Sequence, residues 1–147
     1  MIFLFFTVSF AIQISLISGG REDVSKIKTN LINAYKRFLK NEKFTFFVDG
    51  VLQFTNHDNV IDKINNLDLS RTFMTCANWK IETLVNNSYI LSDLNPCNPQ
   101  ETVKKAQEFI RKGHVITTIG MGKSISDEWL SKICGPWSIR GLNWFSV

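Results

Sequence analysis

Apolar and polar positions change period several times along the chain. Asp23 can cap a helix. Val24, Ile27, Leu31, Tyr35, Phe38 and Leu39 then recur three or four residues apart, which predicts an amphipathic helix over 24–40 with a basic outer face. Between residues 44 and 54, two β-rich runs flank Asp49-Gly50, a signal for a hairpin with a two-residue turn. Asn56-His57-Asp58-Asn59 is a turn cluster, and residues 60–67 form a short strand or a helical turn. Phe73, Ala77, Ile81, Leu84 and Val85 share one face of a second helix over 72–85, which Asn86-Asn87 ends.

The second half alternates strand and helix. Tyr89-Ile90-Leu91 is a short buried strand. Asn98-Pro99-Gln100-Glu101 opens a helix with a cap residue, Pro at the first helical position and Glu at the third. Val103, Ala106, Phe109 and Ile110 give its buried face and Gly113 its stop. Val115-Ile116-Thr117-Thr118-Ile119 suits a strand covered on both sides, as in a parallel sheet. Ser124 or Ser126 opens a short helix carrying Ile125, Trp129, Leu130 and Ile133, Gly135-Pro136 breaks it, and residues 142–147 form a last strand. This alternation predicts an α/β fold: a doubly wound, mostly parallel sheet with helices on both faces.

The first twenty residues differ from the rest. Residues 1–17 carry no charge, and Ser18-Gly19-Gly20 then precedes Arg21-Glu22-Asp23. One reading is a secretory signal peptide over 1–20, leaving a domain over 21–147. The other makes residues 2–8 a buried core strand. Gln13 and Ser15 interrupt the run, so no stable membrane span is expected.

At 147 residues, 44% apolar and 20% charged, the chain fits one globular domain able to bury a core. Its net charge of +4 is dispersed, densest at Lys36-Arg37-Lys40-Lys43 and Lys104-Lys105-Arg111-Lys112. Both groups sit on helix patterns without interleaved aromatics, so they read as solvated faces and no nucleic acid is expected as partner. Cys76, Cys97 and Cys134 allow one disulfide plus a free or intermolecular thiol, and no Cys-x-x-Cys pair suggests zinc. Asn86-Asn87-Ser88 makes Asn86 a glycosylation acceptor if the chain is exported.

Little of this resembles catalytic machinery. Gly120-Met121-Gly122-Lys123-Ser124 imitates the end of a phosphate-binding loop, but Thr117 stands where that loop needs its first Gly, so no nucleotide is expected. His57 and His114 lie in separate segments without a triad spacing. Asp93 ends the strand at 89–92, where open parallel sheets bind ligands, and either caps a loop or coordinates a cation.

Tyr89-Ile90-Leu91-Ser92-Asp93, the helix ending Phe109-Ile110-Arg111-Lys112-Gly113, and Val115-Ile116-Thr117-Thr118-Ile119-Gly120-Met121-Gly122 together resemble the second half of a von Willebrand factor type A domain. Leu130-Ser131-Lys132-Ile133-Cys134-Gly135-Pro136 is similar to that family's next helix and its break. Asp49-Gly50-Val51-Leu52-Gln53-Phe54-Thr55-Asn56 is similar to its second strand, which would make residues 60–64 the antiparallel edge strand in place of the hairpin.

The resemblance implies an extracellular binding or adhesion module, not an enzyme, whose partner is another extracellular protein. It also implies a metal-ion-dependent adhesion site, built from Asp-x-Ser-x-Ser after the first strand, a Thr in a later loop and the Asp after the fourth strand. Asp93 matches the last and Thr72 the Thr. With residues 2–6 as first strand, Ser9 keeps one serine, while Thr7 replaces the Asp and Ala11 the other Ser. Without that carboxylate no cofactor is expected, and Mg²⁺ is the ion such oxygen ligands would suit. On this fold Cys76 and Cys97 fall at the ligand-binding end of the sheet and Cys134 at the opposite end, so the resemblance implies a Cys76–Cys97 disulfide. The alternatives are a small secreted enzyme working at the same end through Asp93 or His57, and a degenerate paralogue without a ligand.

Overall fold

The chain is described by a computed structural model over residues 12–69, 74–85, 87–134 and 138–140. Strand β1 is Ile12–Ile17, and it lies at the centre of the sheet. On one side it pairs in parallel with β2, Phe44–Val48, with Leu16 opposite Val48. On the other it pairs in parallel with β4, Asn87–Ser92, with Leu16 opposite Leu91. Beyond β4 follow β5, Val115–Gly120, and β6, Ser138–Arg140, both parallel. The antiparallel edge is β3, Val51–Thr55. Among the described residues the order is β3-β2-β1-β4-β5-β6.

Helices cover both faces. Helix α1, Val24–Ala34, continues into a π turn, Tyr35–Leu39. It shares a core with the short α2, Val60–Asn65, and with Ile14, Leu16, Phe44, Phe46, Leu91 and Ile119 from the sheet. Against the other face lie α3, Pro99–Arg111, and α4, Asp127–Cys134. Ala106, Leu130 and Ile133 meet Ile17, Ile90 and Ile116 there, together with the buried Trp79. Strands β1, β4 and β5 are therefore covered on both sides, which is why β5 reads as a run of β-branched residues without alternation.

The helix starts follow local chemistry. The Asp23 carboxylate accepts the amides of Ser25 at 2.8 Å and Lys26 at 3.3 Å, and the Ser25 hydroxyl at 2.7 Å. The hydroxyl first, then those amides, hold its pKa below the ordinary 3.8. Ser126 opens α4, accepting from the Glu128 amide at 3.2 Å.

Several expectations change. The central strand lies at Ile12–Ile17 and not at residues 2–8, which fall outside the described residues. Polar Gln13 and Ser15 are part of it: Gln13 Nε2 donates to Thr83 O at 3.2 Å and to Ser15 Oγ at 3.3 Å, so both are buried with a partner. The segment read as a leader thus overlaps β1.

Residues 60–64 form α2 and not an edge strand; the edge is β3, and the hairpin reading of Asp49-Gly50 holds. The helix over 72–85 is absent from its described part. Ala77, Trp79 and Ile81 are buried at every second position, and only Ile81–Thr83 makes a 3₁₀ turn. Alternate burial needs an extended chain, and Ala77 pairs with Pro96 in a parallel bridge. Phe38, read as a core position, is 46% exposed. The π turn places it beyond the buried stripe. Residues 142–147 lie outside the described residues, and the last described strand is β6.

The hairpin has a testable feature. Asp49 and Gly50 have φ of +50° and +82°, the positive pair a two-residue hairpin turn demands. Gly50→Ala forces a Cβ into that conformation and is expected to cost about 1–2 kcal/mol in urea unfolding. An unchanged midpoint would show that the turn relaxes to another type.

Candidate functional site

Chain order reverses between β1 and β4: the chain leaves β1 toward β2 on one side and later returns to β4 on the other. Ligand crevices of open α/β sheets form at such a point, beyond the carboxyl ends of the strands. Here that crevice lies between the loop after β1 and Asp93 after β4.

Asp93 fills it with its own carboxylate. Oδ1 accepts the Gly19 amide at 2.6 Å, and Oδ2 accepts the amides of Arg21 at 2.8 Å and Glu22 at 2.9 Å. Asp93 is 1% exposed. A second carboxylate joins it, since Asp49 Oδ1 accepts the Ser18 amide at 3.3 Å and the Asp49 amide donates to Leu16 O at 2.9 Å. Successive amides of one loop converging on carboxylates form an anion nest, and such charge-assisted bonds are roughly twice as strong as neutral ones.

The sequence permits this closeness. A Cβ on Gly19 would fall 2.6 Å from Leu94 Cβ and Cδ2, so only Gly lets the loop reach Asp93. Ser92 Oγ lies 3.0 Å from both Ile17 O and Leu94 O, tying the ends of β1 and β4 together. Arg21 reaches outward, donating to Met74 O from Nε at 2.9 Å and Nη2 at 2.6 Å.

The disulfide Cys76–Cys97 is formed, as the resemblance implies. It sits where Ala77 N donates to Asn95 O at 3.0 Å and Cys97 N to Ala77 O at 2.9 Å. Trp79 Nε1 donates to Leu94 O at 3.1 Å beneath it. The bond closes a sequence separation of 21 residues. Replacing both cysteines by serine is expected to cost about 3 kcal/mol by loop closure. Urea unfolding of the paired variant tests this, and a loss well under 1 kcal/mol would show that the backbone bonds alone order the segment.

Of the residues read for a cation, Asp93 alone can be placed; Ser9 and Thr72, like the Asn86 acceptor, lie outside the described residues. With β1 ending at Ile17, the positions spaced as Asp-x-Ser-x-Ser are Ser18, Gly20 and Glu22, not Thr7, Ser9 and Ala11. The Asp position thus has an uncharged hydroxyl, one Ser position has no side chain, the other carries Glu22, whose Oε1 accepts the Asp23 amide at 3.3 Å, and the Asp93 oxygens face three N–H groups. These groups do not fit a divalent cation, which needs several free oxygens and anionic charge. Among the described residues, no three His, Cys, Asp or Glu side chains gather to hold a metal.

Other candidates are apart. His57 follows β3 and lies at the opposite end of the sheet from Asp93. His114 packs on Phe109 with ring centroids 4.5 Å apart, also at that far end. In the loop after β5, Gly122 has φ +73°, a turn position that suits Gly without a phosphate. A groove of about 410 Å³ lined by Trp79, Lys80, Glu82, Glu101, Thr102 and Lys105 lies beside the disulfide. Sequence reasoning missed Gly19, Arg21 and Glu22, because Ser18-Gly19-Gly20 also suits a cleavage site. The informative signal was Ser18–Glu22 as a short β-to-α loop directly before the Asp23 cap.

No family profile matches the sequence, and no curated protein matches it. Solved structures do resemble it. Proximal thread matrix protein 1 from the mussel byssus, with a zinc-occupied MIDAS motif, superposes with TM-score 0.68 at 14% identity, over 92% of this chain and 42% of that one. Another structure of the same protein gives TM-score 0.69 at 12% identity, over 92% and 43%. The manganese-loaded TRAP protein of Plasmodium vivax gives TM-score 0.62 at 12% identity, over 88% and 67%. The chain therefore spans less than half the length of the mussel protein chains. Strand order, helices on both faces and these superpositions agree: the chain has a von Willebrand factor type A-like fold.

Proposed function

We propose that the chain is an extracellular recognition module, not an enzyme, that binds another protein through the loops at the carboxyl ends of its strands and needs no divalent cation to do so. The Asp93 geometry carries this reading. A cation would compete with the Gly19, Arg21 and Glu22 amides for the same oxygens, and Ser18 adds no charge to attract it. The internal carboxylate orders the loop after β1, which is the task a bound ion performs in a metal-dependent site. The fold supports recognition over catalysis by analogy. The Cys76–Cys97 disulfide supports an oxidising compartment, where such bonds persist. The folded module includes residues 12–20.

The test is a binding screen against an array of extracellular protein domains, with and without a chelator. A partner is expected whose affinity is unchanged by chelation and falls about tenfold or more in Lys123→Glu, an exposed position in the loop after β5. Calorimetric titration with Mg²⁺, Mn²⁺ or Zn²⁺ is expected to give no saturable heat. Partner binding that disappears with chelator would overturn the metal-independent reading, and binding indifferent to loop substitutions would overturn the assigned surface.

A further inference from the structure

The groove beside the Cys76–Cys97 disulfide is lined by none of the residues that hold Asp93. Its volume of about 410 Å³ falls within the range of small-molecule sites, about 300–1,000 Å³. One wall is the chain over 77–82. The other is a stripe at the start of α3, formed by Asn98, Glu101, Thr102 and Lys105. Spacings of three and four put these on one face of the helix.

Thr102 is the informative member. It lines the groove with 9% of its surface exposed, and its hydroxyl has no hydrogen-bond partner among the described residues. Buried hydroxyls are nearly always satisfied, so an open one facing a groove points to a ligand. The helix start beside it is open as well. Asn98 stands at the cap position, but its side chain caps no amide. The amides of Gln100 and Glu101 find no acceptor among the described residues. On the facing wall, Asn78 Oδ1 accepts the Lys80 amide at 3.1 Å, which leaves its NH₂ to donate.

The charged groups decide the class of ligand. The lining holds Lys80 and Lys105 with Glu82 and Glu101, so it carries no net charge. Lys105 Nζ lies 3.7 Å from Glu82 and 3.5 Å from Glu101, beyond the about 2.7–2.9 Å of a tight charge-assisted bond. Both carboxylates therefore keep acceptor capacity. An anion would suit the helix start and Lys80 but would sit against two carboxylates. An apolar ligand would leave Thr102, Asn98 and the two amides unsatisfied. A neutral molecule whose groups both donate and accept meets all of them, and hydroxyls do both. Trp79 is 2% exposed and its Nε1 is committed to Leu94 O, so the ligand is held by its hydroxyls and not by ring stacking.

We propose that this groove binds a neutral sugar unit, with the Thr102 hydroxyl and the open first turn of α3 bonding its hydroxyls and Glu82 and Glu101 accepting from them. The site does not depend on the strand-end reading.

Titration of the isotope-labelled full chain with the methyl glycosides of glucose, galactose, mannose and N-acetylglucosamine, followed by amide NMR shifts, tests the proposal. At least one is expected to shift the amides of residues 78–82 and 98–105 saturably, with Kd on the order of 1 mM, as suits a ligand held by a few hydrogen bonds. Thr102→Val removes the hydroxyl and should weaken that binding about fivefold. Its thermal midpoint should stay unchanged or rise, because the hydroxyl has no partner in the fold to lose. Lys123→Glu, outside the lining, should leave sugar binding as it is. The titration of the unaltered chain needs no variant. No saturable shift with any of these sugars, shifts at the same residues with inorganic phosphate and not with sugars, or equal sugar binding by Thr102→Val would overturn it. A lowered midpoint in Thr102→Val would show that the hydroxyl serves the fold, and would overturn it too.

Discussion

Asp93→Ala is expected to lower the unfolding free energy by about 3–5 kcal/mol, the largest effect of any single substitution at the strand-end site. The reason is the number of groups left behind. Three amides, those of Gly19, Arg21 and Glu22, lose an acceptor together, while the neighbouring Asp49 carboxylate is engaged with the Ser18 amide. Hydrogen bonds to a charged group contribute about 1.5–3 kcal/mol each, and a buried donor left unmade costs most of its desolvation. Relaxation of an exposed loop recovers some of that total, hence the range. Asp93→Asn should recover only part, because its amide has one acceptor oxygen and its NH₂ would face a donor. Urea unfolding measures the loss. Amide exchange at residues 19, 21 and 22 should accelerate in Asp93→Ala more than exchange in β5. A loss below 1 kcal/mol, or unchanged exchange in the loop, would mean the carboxylate is not what orders it.

The β-to-α half of the fold was legible because each element there satisfies several local rules at once. Pro99 and Gly113 bound α3, and the β-branched run of β5 needs cover on both faces. The site was half legible for a related reason: Asp93 follows from strand-end position alone, while its partners do not. Donors from a backbone leave no mark on side-chain chemistry, and the glycine that admits them is the same residue a leader peptidase favours. The segment around Trp79 failed because a period of two over 77–81 is short and was submerged in a longer helical spacing. Its order comes from tertiary contacts, the disulfide and the Trp79 bond to Leu94, which no local pattern encodes. The central strand was displaced by ten residues in the reading for the opposite reason. Gln13 and Ser15 read only as interruptions of the uncharged leading run, and the core satisfies them from within.

A chain beginning at Arg21 is expected not to fold. It lacks β1, which lies between β2 and β4 and pairs with both in parallel. Its loss strands the backbone groups of two neighbours in the middle of the sheet, where no solvent reaches them. It also removes Ile14, Leu16 and Ile17, each 3% exposed or less, whose burial contributes about 1.5–3 kcal/mol apiece. A domain of this kind holds only about 5–15 kcal/mol in all. The Asp93 nest goes too, since the Gly19 amide leaves with the strand. The shortened chain should therefore show no cooperative thermal transition and bind an apolar dye, while the full chain melts in one step. The matching measurement is the N-terminus of the chain recovered outside cells, which is expected to keep Ile12 and every residue after it. A cooperative melt of the shortened chain, or an exported product that begins at Arg21 and is folded, would require another segment to occupy the place between β2 and β4. The strand register leaves that place to Ile12–Ile17.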